Sequence, residues 1–181
     1  IPKPRVAMGQ KKLTKHKKLL NQIGKKYGVQ PRFIVALWGV ETDFGRIDGG
    51  FPVIQALATL AIDGRRSKFF RQQLITAIRI LDQGHITLDK MRGSWAGAMG
   101  YFQFMPSSFV SFAIDYDNDG KRDIWQNKKD AFASAANYLS KSGWRNDQTW
   151  GREVRIPKGF DKKLIGLKIR KNISEWRDLG V

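Results

Sequence analysis

The sequence predicts a mainly helical, α+β fold, and three observations carry that prediction. Apolar residues recur at helical spacing in several segments, and proline and glycine stand where those segments start and stop. The least helix-like apolar stretch, 93–106, reads Gly-Ser-Trp-Ala-Gly-Ala-Met-Gly-Tyr-Phe-Gln-Phe-Met-Pro and predicts a packed loop.

In chain order, Gln10 to Tyr27 predicts one basic amphipathic helix. Leu13, Leu20, Ile23 and Tyr27 share a face, Lys11, Lys12, Lys15, Lys17, Lys18, Lys25 and Lys26 lie largely elsewhere, and Gly28 ends it. Pro31 suits a first helical turn, and Phe33 to Val40 are apolar apart from Gly39, which predicts a central helix hydrophobic on all sides. Two more helices are expected over Gln55–Asp63 and Ser67–Gln83, the second with Phe70, Leu74, Ile78 and Leu81 in register and Gly84 after it. A short helix starts at Pro106 or Ser107, an acidic loop runs from Asp115, and a small-residue helix covers about Asp130 to Ser142 before Gly143. Past Trp150 the pattern weakens. Glu153 to Ile156 reads as a short strand, and Ser174 to Leu179 as a terminal helix capped by Asn172 or Ser174.

With 181 residues, the expectation is one domain over 1–181: a basic helical segment at 1–30, a core at 31–150 containing the loop 115–130, and the start of a C-terminal segment at 151–181. The apolar share of 41% argues against disorder, and no run of apolar residues is long enough to span a membrane. The 33 Lys and Arg outweigh 16 Asp and Glu, a formal charge of +17 whose field attracts polyanions or anionic matrices. The absence of cysteine excludes disulfides, thiolate metal sites and a cysteine nucleophile. Nothing near Ile1 has the pattern of a targeting segment, so either such a segment has been removed or the chain is a fragment of a longer one. His16 and His85 lie far apart and read as surface histidines.

Glu41 stands out because it follows the apolar helix, within about 60° of Ile34, Leu37 and Trp38 around the axis at 3.6 residues per turn. A poorly hydrated carboxyl at a helix C-terminus has a raised pKa, as a general acid needs; the alternative is a buried glutamate satisfied by a backbone amide or an arginine. Glycoside hydrolysis usually takes two carboxylates, and Asp43, Asp48 and Asp63 are the available partners. If Glu41 acts alone, the substrate must supply its own nucleophile.

Asp115-Tyr-Asp117-Asn-Asp119-Gly120-Lys-Arg-Asp123 matches the first half of an EF-hand loop, with oxygen ligands at alternate positions and glycine at the sixth. The twelfth position holds Gln126, and a longer loop closed by Asp130 would restore the ligand set, with Lys121 giving only its carbonyl. An Asx-rich turn without metal is the other reading. Trp95, Tyr101 and Phe104 are either core or a substrate floor.

Four ordered motifs together carry a resemblance. Gly39-Val-Glu-Thr-Asp-Phe-Gly-Arg46, the 93–108 stretch, the Asp-rich loop and Ala135-Ala-Asn-Tyr-Leu139 before Gly143-Trp144 closely resemble the lytic murein transglycosylase B family, glycoside hydrolase family 103. The resemblance runs from about Gly9 to the C-terminus. It implies a lysozyme-like fold with an EF-hand-like metal loop. It also implies cleavage of the β-1,4 bond between N-acetylmuramic acid and N-acetylglucosamine in peptidoglycan, leaving 1,6-anhydromuramic acid ends.

In that likeness Glu41 is the catalytic acid, while Ser94, Gln103, Tyr138 and neighbouring Asn137 line the cleft, with Tyr101 among the substrate-binding residues. Arg65 and Arg66 form a basic pair for peptide-stem carboxylates, and Asp115, Asp117, Asp119, Lys121 and Asp130 hold a structural calcium ion. Family members also carry a longer N-terminal part and a C-terminal segment with a Tyr-Asn pair completing the cleft. The implied setting is the bacterial cell envelope, in the periplasm or anchored at the outer membrane. Expected partners are glycan strands, other anionic wall polymers or wall-synthesis proteins, rather than nucleic acid. A non-catalytic wall-binding domain and a hydrolytic lysozyme are the rival readings.

Overall fold

The computed structural model describes residues 2–148 and 151–181, so Trp150, where the tail was expected to begin, lies outside them. The chain forms two compact units, Ile1–Asn146 and Asp147–Val181. The division precedes the expected boundary at 150/151 because Gln30 ties the end of the first unit down. Its side chain accepts from Trp144 Nε1 at 2.9 Å and donates to the Asn146 carbonyl at 2.6 Å.

In the first unit α1 (Lys3–Lys15) and α2 (Lys17–Tyr27) replace the single helix expected from Gln10. The break falls at His16, whose ring packs edge-on against Trp38 at 5.9 Å and Phe132 at 5.5 Å. That contact turns the chain although the lysine-leucine pattern runs straight through. His16 is therefore half-buried rather than a surface residue, and burial with nearby Lys128 lowers its pKa. His85 likewise is half-buried, and Arg122 donates to its ring.

Helix α3 (Pro31–Thr42) opens on proline and buries Ile34, Val35, Trp38, Gly39 and Thr42, but Val40 is 68% exposed. It is thus one-sided, contrary to the expectation of a helix buried all round. That place belongs to α7 (Lys128–Lys141), whose residues Asp130 to Asn137 are all buried. Alanines at 131, 133, 135 and 136 give α7 so little girth that neighbours can close on every side.

Between them lie β1 (Phe51–Pro52), α4 (Val53–Ile62), α5 (Ser67–Asp82), β2 (Arg92–Gly93) and α6 (Pro106–Phe112). β1 and β2 form a two-residue antiparallel ladder, Phe51 opposite Gly93 and Pro52 opposite Arg92. This small ladder pins the loop leaving α3 beside the start of the 93–106 loop. The core joins Leu20 and Ile23 of α2 to Ile34 and Trp38, Leu57, Ile80, Phe109 and Phe132, each 1% exposed or less.

The second unit holds a 3-10 turn (Lys162–Leu164) and α8 (Ile173–Asp178). Asn172 precedes α8, and its backbone N–H donates to Glu175 Oε2 at 2.6 Å. The strand expected at 153–156 does not form, since no segment pairs with it among the described residues.

Candidate active site and acidic loop

Glu41 occupies the last turn of α3, where the chain leaves the helix through Asp43 and Phe44, both at positive φ. Among the described residues it makes no hydrogen bond or ion pair, and it is exposed rather than poorly accessible as expected. Protein packed on one side of the carboxyl still strips enough water to raise its pKa, and no neighbouring charge contributes. A proton held there can be offered to a ligand, because no group among the described residues claims it.

The next residue fixes this end of the helix. Thr42 Oγ1 donates to the Tyr101 carbonyl at 2.8 Å and accepts from Gly45 N–H at 3.1 Å, joining α3 to a loop 59 residues away. The Tyr101 ring lies so close over Gly45 that a β-carbon there would come within 2.6 Å of it. Gly49, at φ 95°, lets the same loop press on Gly93 and Ser94 where any side chain would collide. Asp43 is held by Arg46 and by Arg5 at 3.5 Å, and Asp48 Oδ1 accepts from Gly50 N–H at 3.0 Å. Asp63 sits at the end of α4, 3.4 Å from Arg65. The three candidate second carboxylates are thus occupied with local structure.

Most of the other candidates lie on the elements that meet here. Ser94 Oγ accepts from the N–H groups of Ala96 and Ala98 at 3.3 and 3.1 Å, leaving its hydroxyl proton to donate outward. Gln103 is held at φ 52° with its amide donating to the Gly100 carbonyl at 3.2 Å, a non-glycine residue in the left-handed region. Gly93, Met99 and Phe104 are linked by antiparallel bridges. Tyr138 of α7 packs on Phe104 at 5.6 Å while keeping an exposed edge.

The aromatics of the loop divide: Phe104 is core, Tyr101 half-buried, and Trp95 65% exposed. Asn137 is buried and spends its amide on the Phe112 carbonyl at 2.9 Å. Arg65 and Arg66 lie between α4 and α5, Arg65 beside Asp63 and Arg66 stacked 4.4 Å over Phe69, and no described contact joins them to the others. Sequence reasoning missed Thr42 and also Lys128, whose ammonium lies 5.4 Å over the Tyr101 ring.

The acidic loop gathers Asp115, Asp117, Asp119 and Asp130, each offering an oxygen within 4.8 Å of the others. Backbone N–H groups shape it. Those of Asp119 and Gly120 donate to Asp115, that of Lys121 to Asp119, and those of Tyr116 and Asp123 to the two oxygens of Asp130. Burial, with Asp117 and Asp115 nearby, pushes Asp130 up to about 6. Asp117 Oδ2 accepts from Asn127, while its Oδ1 is buried without a partner. A buried carboxylate oxygen facing other carboxylates fits an oxygen-seeking cation such as calcium. Asp123, by contrast, caps the N–H groups of Trp125 and Gln126.

The sequence profile of the transglycosylase SLT domain matches residues 1–181. Over 150 residues the chain is 39% identical to membrane-bound lytic murein transglycosylase B of Escherichia coli K12, spanning 80% of this chain but 41% of that protein. The fold superposes on SltB3 from Pseudomonas aeruginosa, solved in complex with NAG-NAM-pentapeptide, with a TM-score of 0.94 and 48% identity over 97% of this chain and 47% of that one. The Escherichia coli lytic transglycosylase SLT35, solved in complex with calcium, matches with a TM-score of 0.82 and 34% identity over 99% of this chain and 57% of that one. The fold is accordingly lysozyme-like, and the chain spans less than half the length of the first two relatives.

Proposed function

This chain belongs to the transglycosylase SLT domain family, and on that premise we propose that it cleaves peptidoglycan strands by lytic transglycosylation, with Glu41 as sole acid and base. Glu41 protonates the glycosidic oxygen of a β-1,4 bond between N-acetylmuramic acid and N-acetylglucosamine as the bond to C1 breaks. The same carboxylate then takes the proton of the muramoyl C6 hydroxyl while that oxygen bonds to C1. One C–O bond is exchanged for another, the proton returns to Glu41, and no water is consumed. The observation that carries the reading is a lone accessible carboxyl with a raised pKa whose acidic neighbours Asp43 and Asp48 are engaged elsewhere. The Escherichia coli relative is a lytic murein transglycosylase, and the NAG-NAM-pentapeptide bound by SltB3 supports the same substrate class here.

Ser94, Gln103, Tyr101 and the exposed edge of Tyr138 bind sugar around that carboxyl, and neighbouring Asn137 holds the Phe112 carbonyl, the Phe112 ring packing on Tyr138 at 5.1 Å. Arg65 and Arg66 serve the stem carboxylates at the edge of the site. Asp115, Asp117, Asp119 and Asp130, with the Lys121 carbonyl, hold a calcium ion whose charge would neutralise the cluster and brace the start of α7; the calcium complex of SLT35 supports this. The protein acts in the cell envelope, as its membrane-bound relative's name suggests, although no helix among the described residues is long and apolar enough to cross a membrane. The charge of +17 would keep it on an anionic wall. Mass spectrometry of soluble products from purified peptidoglycan tests the reaction. Anhydro ends are expected; reducing ends, heavier by one water, would mean hydrolysis and overturn it.

A further inference from the structure

A cleft of about 280 Å³ opens beside the β1–β2 ladder, lined by Phe51, Gln55, Ala56, Thr59, Leu60 and Trp95. It is unusual here in one respect: the chain carries 33 Lys and Arg, yet none of the lining residues is charged. Two large aromatics border it, Trp95 at 65% and Phe51 at 51% exposure. Exposing them costs solvation free energy that the folded chain does not recover internally, and paired exposed aromatics in a concavity mark a binding surface. The polar groups are neutral. Thr59 Oγ1 donates back to the Gln55 carbonyl at 3.0 Å, leaving its oxygen lone pairs and the Gln55 amide for a ligand.

We propose that this cleft is a secondary saccharide subsite, in which the Trp95 indole stacks on the apolar face of an uncharged N-acetylhexosamine and Gln55 and Thr59 meet its hydroxyl or acetamido groups. The size suits one pyranose, and the lack of charge favours the peptide-free sugar of a wall strand over the peptide-bearing one. Trp95 directly follows Ser94, and Phe51 pairs across the ladder with Gly93, so both aromatics stand next to the backbone that carries Ser94. The inference rests on the proposed wall substrate for its occupant, but the cleft and its neutrality stand on geometry alone.

The test separates binding from turnover. Glu41→Gln prevents cleavage in every sample, and penta-N-acetylchitopentaose, a neutral oligomer without peptide, serves as probe. Trp95→Ala in that background weakens calorimetric binding of the oligomer about tenfold, Trp95→Phe recovers part of the loss, and Gln55→Ala gives a smaller loss. A second measurement needs no substitution at the cleft: in the ¹⁵N-labelled Glu41→Gln chain, the Trp95 indole N–H resonance shifts on titration with the oligomer. Undiminished affinity in Trp95→Ala, or an unshifted Trp95 indole at saturation, overturns the subsite. Wild-type protein that binds the oligomer through Trp95 but releases no anhydro products from purified peptidoglycan would instead overturn the transglycosylase reading and leave the subsite standing.

Discussion

At the end of α3 a single carboxyl, Glu41, stands exposed without hydrogen bond or ion pair among the described residues, whereas in the 115–130 loop four aspartates crowd within 4.8 Å and most of their oxygens accept backbone N–H groups. Burial raises the pKa of a carboxyl in both places, Glu41 and Asp130, but the consequences differ. Glu41 has no internal claimant for its proton and can exchange it with a ligand. Asp130 is fully buried, and beyond the two backbone N–H groups it accepts, its charge is relieved by a proton or by a cation that its neighbours share. The contrast teaches that a raised pKa is chemistry where the group is reachable, and stability where it is enclosed.

Glu41→Gln breaks the comparison hardest. Activity on peptidoglycan falls by about 10²–10⁴-fold, the usual worth of a positioned general acid, with the fold intact. Retained turnover would move the reaction elsewhere. Calcium acts on the other side of the contrast. At 100 times its dissociation constant it stabilises by about 2.7 kcal/mol, a rise of roughly 5–10 °C in a chain of this size, and Asp130→Asn abolishes that rise. Calorimetry with and without calcium checks it, and no shift at millimolar calcium counts against the site.

Thr42→Val sharpens the contrast from a third position. It keeps the shape but strips the hydroxyl that bonds the Tyr101 carbonyl and Gly45 N–H, removing two part-buried hydrogen bonds at a cost of about 1 kcal/mol each. Activity falls through mispositioning of Glu41 while Glu41's own carboxyl is intact, and Thr42→Ser restores both. Denaturant titration and product release read the two effects separately.

How much of this was legible in the sequence follows from the range of the forces involved. Helix starts at Pro31 and Pro106 and the chain's exit from α2 at Gly28 are local backbone preferences, and they stand where proline and glycine put them. The break at His16 is not local, since it depends on Trp38 and Phe132 far along the chain. The β1–β2 ladder was hidden because one of its residues is proline and each strand is only two residues long. Glu41 could be singled out because one carboxylate ends an apolar run, and the aspartates because their spacing is periodic. Thr42 and Lys128 gave no such sign: a threonine and a lysine on helices are ordinary until the Tyr101 loop arrives beside them.

The smallest effect is a pH dependence, and its sign follows from the direction of the Glu41 shift. The acid must be protonated to cleave, so activity is lost as pH rises through the folded pKa, and the midpoint of that limb lies above the ordinary glutamate value of about 4.3. Asp43 and Asp48 are engaged in local contacts rather than in the reaction, so Asp43→Asn leaves the profile's shape unchanged. A bell whose acidic side disappears in Asp43→Asn or Asp48→Asn would restore the two-carboxylate hydrolase. The same shift has a counterpart in stability. A carboxyl whose folded pKa is raised favours the fold only while protonated, so ionised Glu41 slightly opposes folding at neutral pH. Glu41→Gln removes that opposition. The variant melts marginally above the wild type at pH 7 and level with it below the ordinary glutamate pKa, which places the strain on the charge of Glu41 and not on its shape.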